Sequence, residues 1–464
     1  MEKDKKILLF EEMSIPKAVM TLSIPTILST LVMVLYNLAD TYFVGMLNDP
    51  IENAAVTLTA PVMLAFNAVN NLFGVGTSSM MSRALGKRDY DTVRKSSVIG
   101  LYSAIFCGIL FSLLCTVFKP GLLSLLGADS VTRAATGRYM MWTVSFGAVP
   151  AILNVVMAYL VRSEGSTLHA SIGTMSGCLL NILLDPIFIL PSGFNMGAAG
   201  AGLATFISNC VACLYFFILI IVKRGKTFVC ISPKLFSFDK SIIAEICAVG
   251  VPASVQNLLN VVGMTILNNF TADAGQNAVA AMGIAQKINM IPLYVSLGIS
   301  QGVMPLIGYN FSSGNIKRMK KAIVFTSVVS IAMMIVFTSI CYIFASPLIG
   351  LFMKNTVVQD YGSSFLRGLC IALPFLCMDF IGVGVFQACG MGKMSLIFAV
   401  LRKIVLEIPA LVILNKLFPL YGIAYAQFVA EIILAVAAVI VLIRIIKRLE
   451  QSTLTSNKLS PTDG

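Results

Sequence analysis

The sequence predicts an all-α integral membrane protein: twelve transmembrane helices in two six-helix lobes related by a pseudo-twofold axis along the membrane normal. Three observations carry this expectation. The chain is 58% hydrophobic and only 12% charged, where an ordinary soluble domain is about 25% charged, and its mean hydropathy is +0.90. Its 464 residues hold roughly twelve spans with short loops, at about 20 residues a span. The second half of the chain weakly repeats the first.

Taken in order, the apolar runs place span 1 at about 16–43, span 2 at about 53–80 and span 3 at about 95–118. Spans 4, 5 and 6 fall at about 134–161, 167–190 and 198–222. A basic linker, roughly 223–240, separates this half from span 7 at about 242–270 and span 8 at about 277–307. Spans 9 to 12 follow at about 320–343, 362–387, 395–416 and 422–446. The domains expected are therefore an N-terminal lobe over 1–222, a cytoplasmic linker over 223–240, a C-terminal lobe over 241–449 and a disordered cytoplasmic tail over 450–464. The first twelve residues are highly charged, and the apolar run after them is too long for a cleavable signal.

Charge placement sets the orientation. The net charge of +12 would suit nucleic acid, but the basic residues cluster between alternate spans. Such clusters are Arg83, Lys87, Arg88, Arg94 and Lys95, then Lys223, Arg224 and Lys226, then Lys317, Arg318, Lys320 and Lys321, then Arg444, Lys447 and Arg448. The intervening loops are poor in them: Asp49 and Glu52 follow span 1, and no Lys or Arg lies between spans 5 and 6. Positive loops stay inside. Both termini are thus expected in the cytoplasm of a multi-pass protein of the bacterial cytoplasmic membrane, with lipid and not nucleic acid as the large partner.

The repeat is readable in short matches. SIPT around Pro25 echoes GVPA around Pro252, NAAV from Asn53 echoes NAVA from Asn277, and Pro150 in span 4 matches Pro374 in span 10. Gly74 and Gly298 close spans 2 and 8, each followed by a basic stretch. With six spans in each half, the halves have the same orientation, a parallel repeat. Two such bundles would enclose a central cavity that opens to either side by rocking. Pro25 is the candidate hinge in span 1, since membrane helices tolerate such breaks and bend at them.

Enzyme chemistry finds no support. The Gly392-Lys393 pair lacks the earlier glycine of a nucleotide-binding loop, the place being taken by Gln387, and no HExxH or GxSxG occurs. The eleven cysteines are scattered, and Cys210 with Cys213 lacks the second pair of a zinc site. His169 is the only histidine. The chain is expected to be no enzyme and to need no cofactor, so uphill work would draw on an ion gradient.

The polar residues inside the spans are the functional candidates, because an ionised group in hydrocarbon must face a cavity, a partner or a cation. On span 1, Asp40 lies one turn beyond Tyr36 and Asn37, on one helical face. Span 5 carries Asn181 and Asp185 at i and i+4, span 6 carries Thr205 and Asn209 at the same spacing, and span 4 carries Tyr139 and Asn154. Two carboxylates among hydroxyl and amide oxygens suit a hard cation such as Na+, and equally a proton relay. The bland alternative is a set of interhelical hydrogen bonds that hold the bundle together. The C-terminal half offers Gln256, Asn260, Lys287 and Asp379 as cavity residues, with Glu407 and Glu431 deeper in the sequence. Lys287 is the clearest intramembrane base, and a carboxylate partner would be an ordinary way to keep it there.

These residues resemble a known family. LYNLADTYFVG from Leu35 to Gly45 is similar to the first helix of the multidrug and toxic compound extrusion (MATE) transporters. GVGTSSMMSRALG from Gly74 and GISQGVMPLIGYN from Gly298 are similar to the ends of that family's second and eighth helices. The resemblance covers essentially the whole chain and points to the MepA-type bacterial efflux branch. It implies cation-coupled efflux, Na+ or H+ driving antiport of cationic amphipathic compounds by alternating access, and hence antibiotic resistance. It also places Asp40, Asn181, Asp185 and Thr205 on the coupling-cation site of the N-terminal lobe, with Tyr139 and Asn154 beside it. A different branch uses a glutamate in helix 7, where this chain has Asn260, so the resemblance supplies no helix 7 carboxylate for a second cation site; Asp379 lies near that branch's helix 10 carboxylate.

The leading expectation is thus a monomeric multidrug antiporter whose cargo is a small lipophilic cation. A lipid-linked precursor flippase of the same superfamily and a non-transporting membrane sensor are the competitors. A flippase for anionic headgroups should line its cavity with several Arg or Lys.

Overall fold

A computed structural model describes residues 2–459, with side chains described over 6–451, and no strand occurs among them. The helices are α1 (Glu2–Glu11), α2 (Ile15–Gly45), α3 (Pro50–Gly86), α4 (Tyr90–Val117), α5 (Lys119–Leu125), α6 (Arg133–Met140), α7 (Ala148–Ser163), α8 (Thr167–Ile189) and α9 (Ala198–Val222). Then follow α10 (Lys240–Ala272), α11 (Gln276–Ser312), α12 (Ile316–Ile343), α13 (Ala345–Gly350), α14 (Thr356–Cys370), α15 (Leu373–Ala388), α16 (Gly392–Val400), α17 (Ile408–Leu417) and α18 (Ala426–Leu459). Wider π-helical turns join α6 to α7 over Met141–Phe146 and α16 to α17 over Leu401–Glu407.

Among the described residues, nine helices are long and apolar enough to cross a membrane, or eleven spans when two bent pairs each count as one. The bent pairs are the expected spans 4 and 10, which kink by 46° and 43°. Each kink is followed within a few residues by one of the matched prolines, Pro150 or Pro374, and proline in a first turn starts a new helical direction without losing a bond. The expected span 11 is formed by α16, its π turn and α17, but it is interrupted and carries Arg402, Lys403 and Glu407. At the far end α18 continues to Leu459, past the expected end of span 12, because no glycine or proline stops it between Gly422 and Pro461. The expected disordered tail therefore begins as helix, and residues 460–464 lie outside the described residues.

The chain forms two compact units. The first comprises Met1–Ile7 and Leu28–Leu258, the second Leu8–Ile27 and Leu259–Gly464. The divisions fall inside α2 and α10, the helices that carry the Pro25 and Pro252 echo, whereas the sequence division had kept each of these helices whole.

Packing explains the first unit's claim on the start of α10. Ile242, Ile246, Val249 and Ala253 form its buried stripe, at helical spacing. There α3 and α10 meet backbone to backbone: a Cβ on Gly76 would strike the Ile246 carbonyl, and one on Gly250 the Leu72 carbonyl. Small residues at such crossings let membrane helices approach. Ser254 Oγ adds a hydrogen bond to the Ala68 carbonyl at 2.6 Å. In the second unit the start of α2 does the same with α11, burying Ala18, Val19, Leu22 and Thr26, and a Cβ on Gly302 would lie 2.8 Å from the Leu22 carbonyl.

The basic linker is held to the first unit by named contacts. Ser97 Oγ donates to the Cys230 carbonyl at 3.1 Å and accepts from its N–H at 3.0 Å, and the Tyr102 hydroxyl donates to the Ile231 carbonyl at 3.0 Å. Glu164 is the anchor, its side chain 4% exposed. It accepts from Lys6 Nζ at 2.5 Å, the Phe228 N–H at 2.7 Å, Thr227 Oγ1 at 2.8 Å and Ser166 Oγ at 3.1 Å. Nearby, Asp89 caps α4, and the Thr92 hydroxyl and N–H that it accepts hold its carboxyl below the usual carboxylate range.

Candidate functional site

The candidate site is assembled in the first unit from α2, α6, α8 and α9. The i, i+4 spacing on α8 sets Asn181 and Asp185 on one face, and both are buried. With its amide nitrogen toward Asp185, Asn181 donates to Oδ2 at 3.0 Å and to Oδ1 at 3.3 Å. Its carbonyl then accepts from Thr205 Oγ1 at 3.2 Å and from the Thr205 N–H at 3.0 Å. One side chain therefore ties the α8 carboxylate to the α9 hydroxyl, and Tyr36 of α2 stands against the same Thr205 side chain.

Asp40 lies within electrostatic reach of Asp185, and Tyr36 and Tyr139 within reach of both carboxylates. Asp40 Oδ1 is buried with no hydrogen-bond partner among the described residues. An acceptor left bare in this way is costly, and a cation or a proton is what an anionic oxygen can take. Tyr36 lies beside these carboxylates, whereas Asn37, expected on the same face, is exposed and donates to the Met33 carbonyl of its own helix at 3.0 Å. Successive residues point about 100° apart on a helix, which is the physical reason.

Asn154 and Asn209 form their own pair. Asn154 Nδ2 donates to Asn209 Oδ1 at 3.0 Å, and Asn209 Nδ2 donates to the Thr205 carbonyl at 2.9 Å, so α9 carries a polar strip from Thr205 to Asn209. Half-buried Gln256 belongs to the first unit, and half-buried Asn260 and Lys287 to the second. Lys287 makes no ion pair among the described residues; neighbouring Gln286 donates instead to Asn268 Oδ1 at 3.2 Å.

Two features went unread in the sequence. At one end of the first unit a cavity of about 450 Å³ is lined by Asp49, Glu52, Arg138 and Asn195 among others. Its carboxylates are already committed: Asp49 accepts the Ile51 N–H, while Glu52 accepts the Ala198 N–H at 2.7 Å and pairs with Arg138 at 3.5 Å. Gly197 leaves room there, with φ +59° and a would-be Cβ 2.7 Å from the Glu52 carboxylate. The second feature is a buried ion network in the second unit. Arg402 lies between Asp379 and Glu431, with Nη1 3.4 Å from Asp379 and Nε 2.7 Å from Glu431, and Lys403 Nζ sits 2.7 Å from Glu407. Asp379 thus stands in an ion pair, 1% exposed, rather than as a free wall residue. Lys287 is not the principal intramembrane base. The readable signal was three charges, Arg402, Lys403 and Glu407, in the middle of one short span, each of which needs a partner in a membrane.

A multi-pass helical chain with an oxygen-lined pair of buried carboxylates has the build of a membrane transporter. The family profile described as MatE matches residues 25–187 and again 252–413, once in each half. The chain belongs to the MatE family. It is 32% identical over 456 residues to the multidrug export protein MepA of Staphylococcus aureus (strain MRSA252), covering 97% of this chain and 98% of that one. Among solved structures, an outward-facing multidrug resistance MATE transporter of the MOP superfamily superposes with a TM-score of 0.91 at 27% identity, over 96% of this chain and 99% of that one. A MATE transporter in a bent conformation superposes at 0.88 with 28% identity, over 97% and 99%.

Proposed function

We propose that this chain is a cation-coupled multidrug exporter that exchanges Na+ or H+ for small lipophilic cations by alternating access. The observation that carries the reading is the bare, buried Oδ1 of Asp40 in range of the Asp185 carboxylate oxygens, which Asn181 links to Thr205. Those oxygens fit a hard cation, which takes carboxylate, carbonyl and hydroxyl ligands. A proton on either carboxyl removes the ligand charge and uses the same oxygens, so the two ions compete for one place. Support for the cargo comes from the relatives: a multidrug export protein and a multidrug resistance transporter.

The proposed cycle uses α2 as its moving part. The helix is continuous from Ile15 to Gly45 with Pro25 inside it, and Asp40 sits on its far portion. Loss of cation or gain of proton at Asp40 and Asp185 changes what α2 is held by, and Pro25 supplies the place to bend. A related transporter solved in a bent conformation supports such a motion. Both termini are proposed to be cytoplasmic and the chain to act as a monomer. The flippase reading gains nothing from the newly found bases, because Arg402 and Lys403 are already paired with carboxylates.

Reconstituted vesicles test the reading. A sodium or proton gradient, imposed separately, should drive uphill movement of a lipophilic cation such as ethidium. Movement of a labelled anionic lipid with no gradient-driven cation transport would establish the flippase reading instead.

A further inference from the structure

The ion network of the second unit has a feature that ordinary pairing does not require. Arg402 and Lys403 are adjacent, yet both are buried, at 4% and 8% exposure. In a regular α-helix they would point about 100° apart. They lie in the π-helical turn Leu401–Glu407, and such turns are frequent at functional sites. The room is cut on the facing helix: a Cβ on Gly263 of α10 would come within 2.9 Å of the Lys403 side chain. Lys403 is satisfied by both oxygens of Glu407 at 2.7 Å, a closed pair.

Arg402 serves two carboxylates from two other helices, Asp379 of α15 and Glu431 of α18. Its Nε is 2.7 Å from Glu431 Oε1, yet among the described residues neither atom has a partner in hydrogen-bond geometry. Asp379 Oδ1 and Glu431 Oε2 are likewise buried and unpartnered. The guanidinium here acts as a positive charge set between carboxylates, over the Phe380 ring at 5.1 Å, and less as the fork it usually presents. It cannot lose that charge at any accessible pH. Charge counting leaves one negative charge on this triad, which one proton on the pair neutralises. No carboxylate is supplied by α10 between Val249 and Ala272.

We propose that Arg402 is a tethered cation: its guanidinium fills the place between Asp379 and Glu431 that a small monovalent cation would otherwise take. The second unit then accepts no metal cation from solution while Arg402 is present, and it becomes a cation site when Arg402 is removed. The consequence for transport, a single exchange site at Asp40 and Asp185, rests on the function proposed above; the occupancy itself does not.

Binding on purified full-length protein separates the two. All variants carry D40N and D185N, so the first unit's carboxylates are silent, and the unfolding midpoint is read against Na+ and against low guanidinium, with choline as the balancing cation. With Arg402 present, neither ion should move the midpoint beyond choline. R402Q should unfold lower in choline and recover as Na+ or guanidinium is added, and adding D379N and E431Q should abolish that recovery. R402K keeps a charge and should stay insensitive. The proposal is overturned if the Arg402 protein is itself stabilised by Na+ in a way that D379N removes. It is equally overturned if R402Q gains no stabilisation from either ion, or if R402K gains as much as R402Q.

Discussion

Replacing Arg402 with methionine should unfold the second unit more easily than any other single change to a charged residue. Its side chain is 5% exposed, and those of Asp379 and Glu431 are 1% and 0%, so the solvent screening that makes surface pairs weak does not apply. Methionine fills comparable space, and the loss is therefore electrostatic: two buried carboxylates keep no cation between them. Removing one member of a buried ion network costs about 3–5 kcal/mol, and the contact with Phe380 at 5.1 Å is lost with it. The assay is thermal unfolding of purified protein in a choline buffer free of sodium. R402M should melt well below the parent, and adding D379N and E431Q should restore most of the midpoint, because neutral amides leave no charge unpaired. A parental midpoint for R402M, or a triple variant less stable than R402M, would refute the electrostatic account.

Glu164→Ala should release the linker, leaving the Phe228 N–H and Lys6 without their acceptor; at about 1.5–3 kcal/mol for each hydrogen bond to a charged group, trypsin should cut at Lys223, Arg224 or Lys226 far faster than in the parent. Glu52→Ala should lower the unfolding midpoint by less than R402M does, through loss of about 1 kcal/mol of N-terminal capping at α9, and Glu52→Gln should recover part of it; an unchanged midpoint in Glu52→Ala would remove Glu52 from that role. A cysteine at Lys226, with the native cysteines replaced, should resist impermeant thiol reagents added outside intact cells and react after permeabilisation. Ready labelling from outside would invert the proposed orientation.

Much of this molecule is legible in its sequence because a bilayer imposes one rule on every span. Residues 198–222 were expected as a helix and are one, and the expected spans at 167–190 and 320–343 differ from α8 and α12 by a few residues. The same rule exposed Asp40 and Asp185, since a carboxylate in an apolar run is conspicuous. Proximity across helices was less readable. The link from Asn181 to Thr205 joins α8 to α9, and no spacing along one chain reveals it. Arg402 and Lys403 were overlooked because a helix-period reading points one of two adjacent residues away, whereas the π turn buries both. The division of the continuous helix α2 between the two units at Ile27 and Leu28 follows from which neighbours its two portions pack against, which no local pattern encodes.

Uphill export of a lipophilic cation by Asp40→Asn and Asp185→Asn, in vesicles with sodium and proton gradients imposed separately, tests the central claim most directly. Asparagine keeps the size and much of the hydrogen bonding but not the charge, so at matched monodispersity both variants should fold, bind cargo and fail to export under either gradient. Export by both at the parental rate, with the parental ion dependence, would contradict the account and leave the pair as a structural contact.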